Sequence, residues 1–442
     1  MVEPLAPGLT AEVEVVGEPR PAVLASPLAV ADCATAAVAA CLSAAADLAR
    51  VRTGRRPHVV LDTAHVAAAV RSEACLRDPA GRGVSGFAPL SRLWPAADGW
   101  VRTHANYPWH RAALLAALGV GDGTDDEVAS RLAGAIAGRP AREVEDTVYA
   151  AGGLAVAART VPVVAPPLVD MARLRDGARP LPPLGSGGLP AHGVRVLDLT
   201  RVIAGPVGTR MLAALGAQVL RVDDPHRPEL PGQDVEGVLG KASTLLDART
   251  PAGHEILHRL LDGADVLVTG YRPGALRRLR LDPDQVAADH PGTTVVTLSA
   301  WGTAGEWGTR RGFDSLVQIA TGIGWATSRT VPGPGSCRAS CSTTPPGTSS
   351  PPGYWPPSPG GRRPARRRTW RCRSPVPRAG CSTRARFRAA TPARAATPGT
   401  TGPRSATGGV RSARRAGSTG TRWPGRTCRP PTDRHHLPGR HE

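Results

Sequence analysis

The sequence predicts an α/β protein: a parallel sheet covered by helices, a smaller α+β module ahead of it, and a long final stretch without a core of its own. Three observations carry this expectation. After residue 193, short apolar runs alternate with helical stretches at the spacing of strand–helix–strand units. A Pro/Gly cluster at Pro180–Gly193 (PLPPLGSGGLPAHG) separates those units from an earlier, Ala-rich region. From Val331 on, only Val331, Val376, Val410 and Leu437 remain of the Ile/Leu/Val/Met set in 112 residues. Four such residues cannot bury enough apolar area to offset the entropy of ordering that length of chain.

Residues 1–26 read as an extension. The module at 27–179 opens with an Ala-rich helix over Ala29–Val51, and Asp32 near its start is placed to satisfy open N–H groups of the first turn. A strand follows at His58–Leu61 (HVVL). Leu90–Thr103 reads as a hairpin, because Asp98-Gly99 supplies turn residues between two apolar runs. Helices are expected at Pro108–Leu118, Asp126–Ala137 and Ala141–Ala151, the second capped by Thr124 or Asp125. After the linker at 180–193, the half at 194–330 begins with Val194–Leu199 (VRVLDL), a run suited to a buried parallel strand. A turn at Thr200–Pro206, a helix at Val207–Leu215 and a strand at Gln218–Val222 come next. The pattern repeats with a helix at Pro251–Leu261, a strand at Asp265–Val268, a short helix at Pro273–Leu279 and a strand at Thr294–Ser299. Strands and helices in this alternation predict a Rossmann-like sheet. Open sheets of that kind hold ligands beyond the carboxyl ends of their strands, so the loops after Leu199, Val222, Val268 and Ser299 are the expected binding positions.

Charge is divided along the chain. Of 55 Lys+Arg and 36 Asp+Glu in 442 residues, the last 112 hold 22 Arg and two acids, which leaves 33 basic against 34 acidic side chains in residues 1–330. The formal net charge of +19 therefore belongs to the tail, and a basic nucleic-acid-binding globule is not the default expectation. The opening residues MVEPLAPGLT show no basic stretch followed by an apolar one, and no uninterrupted apolar run reaches the roughly 18 residues of a membrane span. A cytoplasmic, membrane-free protein is the expectation. Cys33, Cys41 and Cys75, the cysteines before residue 331, form no CxxC pair and have no His partner at metal-ligand spacing. They are expected to be small core residues, with no metal site.

The tail at 331–442 admits two readings. One is a disordered Arg/Pro/Ser/Gly/Thr arm for RNA or another anionic surface. The other is a GC-rich gene read out of register. Assigning GC-rich codons to Ser336–Pro359 and dropping two nucleotides permits LPGILLDHAAGYLLAAGVLAALA, a string with the apolar density of a buried helix. The second reading predicts a one-base insertion or deletion near Ser328–Ser336, which resequencing the DNA across residues 322–345 would reveal. Codons that encode no such string would make the Arg-rich arm genuine.

Several segments together point to one family. VLDLTRVIAGPVGTRMLAALGAQVLRVD (196–223), the isolated GK at 240–241, LDARTPAGHEILHRLLDGADVLVTGYRPGALRRL (246–279), TLSAWGTAGEW (297–307) and GFDSLVQIATG (312–322) follow in order. Residues 194–325 resemble the N-terminal half of the class III (CaiB/BaiF-type) coenzyme A transferases. VADCATAAVAACLSAAADLARVRTGRRPHVVLDTAHV (30–66) and LWPAADGWVRTH (93–104) more faintly resemble the other half of the same family. The halves stand in unusual order. The shifted-register string also resembles a second copy of Ala31–Ala49, with its Asp at the same place.

The resemblance implies the family's Rossmann-like fold, an interlocked homodimer when the intact frame is expressed, and transfer of coenzyme A from an acyl thioester to a free carboxylic acid. Acyl-CoA and the acid are the implied partners; no other cofactor is implied. In the family an aspartate in a D-x-x-x-G/A segment opening an Ala-rich helix is the nucleophile, and Asp32 is the matching residue present in this sequence. The helix-cap reading of Asp32 stands beside that role. Asp314, in GFD, matches the aspartate of the GHD pair of the related α-methylacyl-CoA racemases, but Phe313 occupies the place of the His. That departure leaves a structural reading of Asp314 beside the catalytic one. Val202, Ile203 and Ala204 match the family's adenine-side loop, Lys241 a phosphate-contacting lysine and Arg278 an arginine of the GALxR segment; for both cations the plain alternative is a solvated surface charge. Ala242 departs from the usual KRS, and Asp224 stands where some members have a phosphate-binding Arg. An inactive chain that still binds coenzyme A and a racemase-like enzyme are the alternative functions.

Overall fold

The computed structural model describes residues 9, 11–19, 21–83, 86–160, 169–172, 174, 180–185, 187–327 and 334, with the backbone of 369–371 and 384–386. The expectation for the 331–442 tail thus lies almost wholly outside the described residues. There, strands β11 (Thr369–Arg371) and β12 (Arg384–Arg386) pair antiparallel.

Strand β1 (Val13–Val16) pairs in parallel with β2 (Val59–Asp62), and helix α1 (Val30–Thr53) lies between them in the chain. Residues 1–26 are therefore no mere extension, since β1 belongs to the module's own sheet. Val13 and Leu61 pack with Ala39 and Val66, which buries one face of α1. By length and composition α1 would suffice to cross a membrane. Its described contacts are instead with protein: Ser43 donates to the Ala11 carbonyl at 2.8 Å, and Arg52 donates to the carbonyls of Pro182, Pro190 and His192. Helix α1 ends at Gly54, whose φ of 72° closes the last turn in the left-handed region. Helices α2 (Thr63–Ala69), capped by Asp62, and α3 (Ser72–Cys75) follow. Cys33 and Cys75 are exposed and Cys41 only half-buried, which corrects the expectation of three core cysteines. Helix α1 is wider than one buried stripe, and Cys33 falls on its open side.

The predicted hairpin forms as β3 (Leu93–Ala96) and β4 (Gly99–Thr103), joined in an antiparallel sheet by β5 (Ala155–Ala157). Helices α4 (Pro108–Leu118), α5 (Asp125–Ala137) and α6 (Ala141–Ala150) cover it, and Leu114, Leu132, Ile136, Val144 and Val148 fill the core beneath Trp94 and Val101. Thr124 and Glu127 form a capping box at the start of α5, as the sequence suggests.

The second half contains a five-stranded, wholly parallel sheet. Its elements are β6 (Arg195–Leu199), α7 (Ala204–Ala214), β7 (Gln218–Asp223), α8 (Gln233–Gly237), β8 (Ala242–Leu245), α9 (Pro251–Asp262), β9 (Val266–Thr269), α10 (Pro283–Asp289) and β10 (Thr294–Thr297). The strand order is β10-β9-β6-β7-β8. Central strand β6 is buried along Val196–Leu199, whereas edge strands β8 and β10 are largely exposed. This pattern explains why β8 (ASTL) was not legible: an edge strand needs no apolar run. The helix expected over Pro273–Leu279 shrinks to a 3₁₀ turn at Arg277–Leu279, because Gly274 adopts φ 76°. The connecting helix is α10, whose Pro283 sits at the first helical position.

Helices α11 (Asp314–Ala320) and α12 (Ile323–Thr327) come after the sheet. Leu316, Ile319 and Ala320 pack against Leu154 and Val156 of the first module. The boundary drawn at the linker is thus crossed by a shared core, and residues up to Ala390 cluster as one unit.

Candidate active site

The chain turns from β6 toward β7 on one side and reaches β9 on the other, so the crevice of the sheet opens beyond the carboxyl ends of β6 and β9. Thr200 and Gly270 flank it; a Cβ on Gly270 would lie 3.7 Å from Thr200. Below the crevice lies a buried polar knot. Asp198 on β6 accepts from the Thr200 N–H at 2.9 Å, the Thr200 hydroxyl at 2.5 Å, the Thr209 hydroxyl at 2.6 Å and Lys241 Nζ at 2.9 Å. Lys241 also donates to the Pro206 carbonyl at 2.9 Å and to Thr209 Oγ1 at 2.6 Å. An ammonium has three protons, and all three are taken. Both charged side chains have no exposed surface. Burial lowers the Lys241 pKa, against the opposing pull of Asp198. The structure thus corrects the alternative of a solvated Lys241. It also shows the lysine spent on Asp198 rather than presented to a phosphate.

The turn above the knot is strained. Val202 has φ 67°, a left-handed conformation that costs a β-branched residue about 1–2 kcal/mol. It is held there by Glu229, which accepts from the Val202 N–H at 2.9 Å and from the Tyr107 hydroxyl of the first module. Arg201 and Arg221 lie 3.5 and 3.7 Å from the same carboxylate, which is 3% exposed. Burial and the Glu229 charge push the Tyr107 phenol up. The strained residue delivers Ile203 to the start of α7, with Ala204 as its first residue. Gly205 can follow only because it lacks a side chain: a Cβ there would lie 2.3 Å from that of Thr200. Val202, Ile203, Pro206 and Val207 line a narrow cleft of about 10 Å³ with Arg210 and Glu236. The open N–H groups at the start of α7 make this end favourable for an anion. Arg210 is itself paired, 2.9 Å from Glu236 and 3.0 Å from the Ser72 hydroxyl of the first module.

The remaining predicted residues stand elsewhere. Arg278 is exposed on the 3₁₀ turn and is not among the partners of the Lys241 knot. Asp32 is half-buried in the first turn of α1, while Ala29 occupies the cap position, so the side chain is not the N-cap. Its neighbour Ala31 packs with Ala67 on the α2 side. Asp314 opens α11 and accepts from the Gln318 amide at 2.7 Å. Across from it, His104 of the first module stacks on Phe313 with ring centroids 3.8 Å apart, and His110 stands edge-on to the same ring at 5.7 Å.

Comparison with known proteins shows what the segment around this crevice is similar to. Residues 192–343 match the model of CoA-transferase family III. This segment is similar to the family III CoA-transferases. A probable fatty acyl-CoA transferase of Mycobacterium tuberculosis is 32% identical over 154 residues, covering 32% of this chain and 39% of that protein. A succinate–glutarate CoA-transferase of Agrobacterium fabrum is 29% identical over 152 residues, covering 30% and 38%. A crystal structure of the mycobacterial protein is 32% identical over 33% of this chain and 41% of that chain, with a TM-score of 0.29. The chain therefore spans about two-fifths of the length of these relatives.

Within residues 192–343, sequence reasoning missed Asp198, Glu229 and Arg210. Asp198 carried a signal, since a carboxylate inside the run VRVLDL must find a buried partner, and Lys241 is the sole lysine of the chain. Glu229 and Arg210 carried none, because their partners Tyr107 and Ser72 are more than a hundred residues away. Asp224, His226 and Asp247, at the carboxyl ends of β7 and β8, bring ligand atoms within 4.8 Å of one another. Arg249 pairs with both carboxylates, at 3.2 and 2.8 Å, and its guanidinium holds the place a cation would take.

Proposed function

We propose that the protein is built for acyl-CoA:carboxylate CoA transfer, with the nucleotide end of coenzyme A at the cleft beside Val202 and Ile203. The observation that carries this reading is the family III match over residues 192–343, which contains the strained turn, the start of α7 and the crevice of the sheet. In the reaction an aspartate carboxylate attacks the thioester carbonyl and expels the thiolate, leaving a mixed acyl–aspartyl anhydride. The thiolate attacks the aspartyl carbonyl, which releases the donor acid and leaves an aspartyl-CoA thioester. The acceptor carboxylate repeats the two steps in reverse and departs as the new thioester, restoring the aspartate. A nucleophile of this kind works best half-withdrawn from water, because solvation blunts it and water hydrolyses the anhydride. Asp32, half-buried at the start of α1, suits that role.

A second reading, coenzyme A binding without turnover, is favoured by one observation: Arg210, which lines the cleft, and Lys241, which the resemblance matches to a phosphate contact, are both engaged within the protein. The deciding experiment measures exchange between succinyl-CoA and labelled carboxylic acids for the native chain and Asp32→Ala, alongside coenzyme A affinity by calorimetry. The expected result is exchange that falls at least about a thousandfold in the variant while coenzyme A still binds. Equal exchange in both would remove Asp32 from the mechanism. Binding without exchange in the native chain would replace the transferase reading by the second.

A further inference from the structure

The cleft beside Val202 and Ile203 has a volume of about 10 Å³, roughly the space of one water, whereas a pocket for a nucleotide needs on the order of 300 Å³ or more. Coenzyme A therefore enters only if a wall of the cleft moves. Two of the lining side chains are charged, Arg210 on α7 and Glu236 on α8, and both are held from the first module. Arg210 Nη1 donates to Glu236 Oε1 at 2.9 Å, and its Nη2 donates to the Ser72 hydroxyl at 3.0 Å. The Ser72 hydroxyl donates in turn to the same Glu236 oxygen, which closes a ring of three hydrogen bonds. Ser72 is the first residue of α3, 138 residues before Arg210, so one hydroxyl of the first module clasps two lining side chains of the cleft.

Glu73, next to Ser72 on α3, is 5% exposed, and its Oε1 has no hydrogen-bond partner among the described residues. Burial raises its pKa, and the Glu236 charge adds to that against the pull of Arg71 and Arg210. A carboxylate buried in this way costs the closed arrangement free energy that is returned when α3 leaves. On the opposite side of the cleft wall stands Arg221, 1% exposed, whose Nη1 has no hydrogen-bond partner among the described residues. A Cβ on Gly237, which lines the cleft, would lie 2.0 Å from that nitrogen. A second cation thus backs onto the cleft beside the open N–H groups at the start of α7, and the opened cleft suits an anion. We propose that Ser72 is an autoinhibitory latch: it ties Arg210 to Glu236 and keeps the cleft shut, and its release frees Arg210 for a phosphate group of coenzyme A. The choice of ligand rests on the coenzyme A reading of the cleft, whereas the latch rests on the contacts alone. Because the open form is the minor one, the measured affinity is the intrinsic affinity reduced by the open fraction.

The test uses the full chain, with coenzyme A affinity measured by calorimetry and hydrogen exchange of the ligand-free protein followed over α3 and α8. Ser72→Ala removes two bonds of the ring, and is expected to bind coenzyme A about tenfold more tightly than the native chain and to exchange faster over both helices. Glu73→Gln removes the buried charge but keeps the shape, and is expected to act the other way, with affinity about threefold weaker and slower exchange. General loosening of the fold would move both variants in one direction, so opposite shifts identify the latch. Unchanged exchange over α3 and α8 in Ser72→Ala, or a measurable coenzyme A affinity equal to or weaker than that of the native chain, would overturn the proposal. Faster exchange in Ser72→Ala with no coenzyme A bound by either protein would keep the latch and remove the coenzyme A reading of the cleft.

Discussion

Replacing Lys241 by alanine is expected to cost the fold about 3–5 kcal/mol, because it strands the fully buried Asp198 carboxylate without its counter-charge. The family resemblance alone predicts something different: a lysine that contacts phosphate, whose loss weakens coenzyme A binding and leaves stability intact. Urea unfolding separates the two. In the structure Lys241 also satisfies the Pro206 carbonyl and Thr209, so its removal loosens the start of α7 together with the centre of the sheet. Asp198→Asn should be damaging for the same reason, whereas replacing both partners by apolar residues of similar volume should recover much of the loss, since burying an ion pair repays little beyond its own desolvation. A Lys241→Ala protein with native stability but lost coenzyme A affinity would mean that the lysine turns outward to its ligand.

Acidification from pH 7 to pH 4 should remove about 3 kcal/mol through His110 alone. Burial, followed by repulsion from Arg311, Arg227 and Arg201, lowers its pKa from the usual 6.5 to about 4. The folded state therefore refuses a proton that the unfolded chain accepts, so the contribution is whole above pH 6.5 and is lost as the pH falls toward 4. His104 acts in the same direction. Buried against Phe313, with neither ring nitrogen hydrogen-bonded among the described residues, it is held well below its usual value by burial and by neighbouring His110 and Arg102. Stability measured by urea at pH 7.5, 6, 5 and 4 should fall steadily, and the double variant His104→Phe/His110→Phe should flatten the slope while keeping an aromatic stack. A native protein equally stable at pH 7 and pH 5 would contradict this account.

The second effect arises where the two modules meet. Tyr107 reaches Glu229, Ser72 reaches Arg210 and Glu236, and His104 and His110 close on Phe313. A Pro/Gly-rich stretch such as 180–193 reads as a divider because composition reports only the local chain. Leu316 and Ile319 packing on Leu154 and Val156 shows that the partition was one of sequence, not of core.

The sequence by itself determined the alternation of β6, α7, β7, α9, β9 and β10, the hairpin and most helix limits of the first module, and the segment similar to family III, and it marked the turn at Val202–Ala204 as an expected binding position. Those features are written in short-range signals: buried apolar runs, capping residues, proline at helix starts, and family motifs in order. Tertiary structure alone decided what the charged residues do. It turned Lys241 inward to Asp198, left Arg278 in water, set Asp32 in the first turn of α1 rather than at its cap, and tied Arg210 to Ser72 of the first module. The reason is physical. A charge or an imidazole has no fixed role until its partners are known, and here those partners lie from tens to more than a hundred residues away, beyond any local pattern.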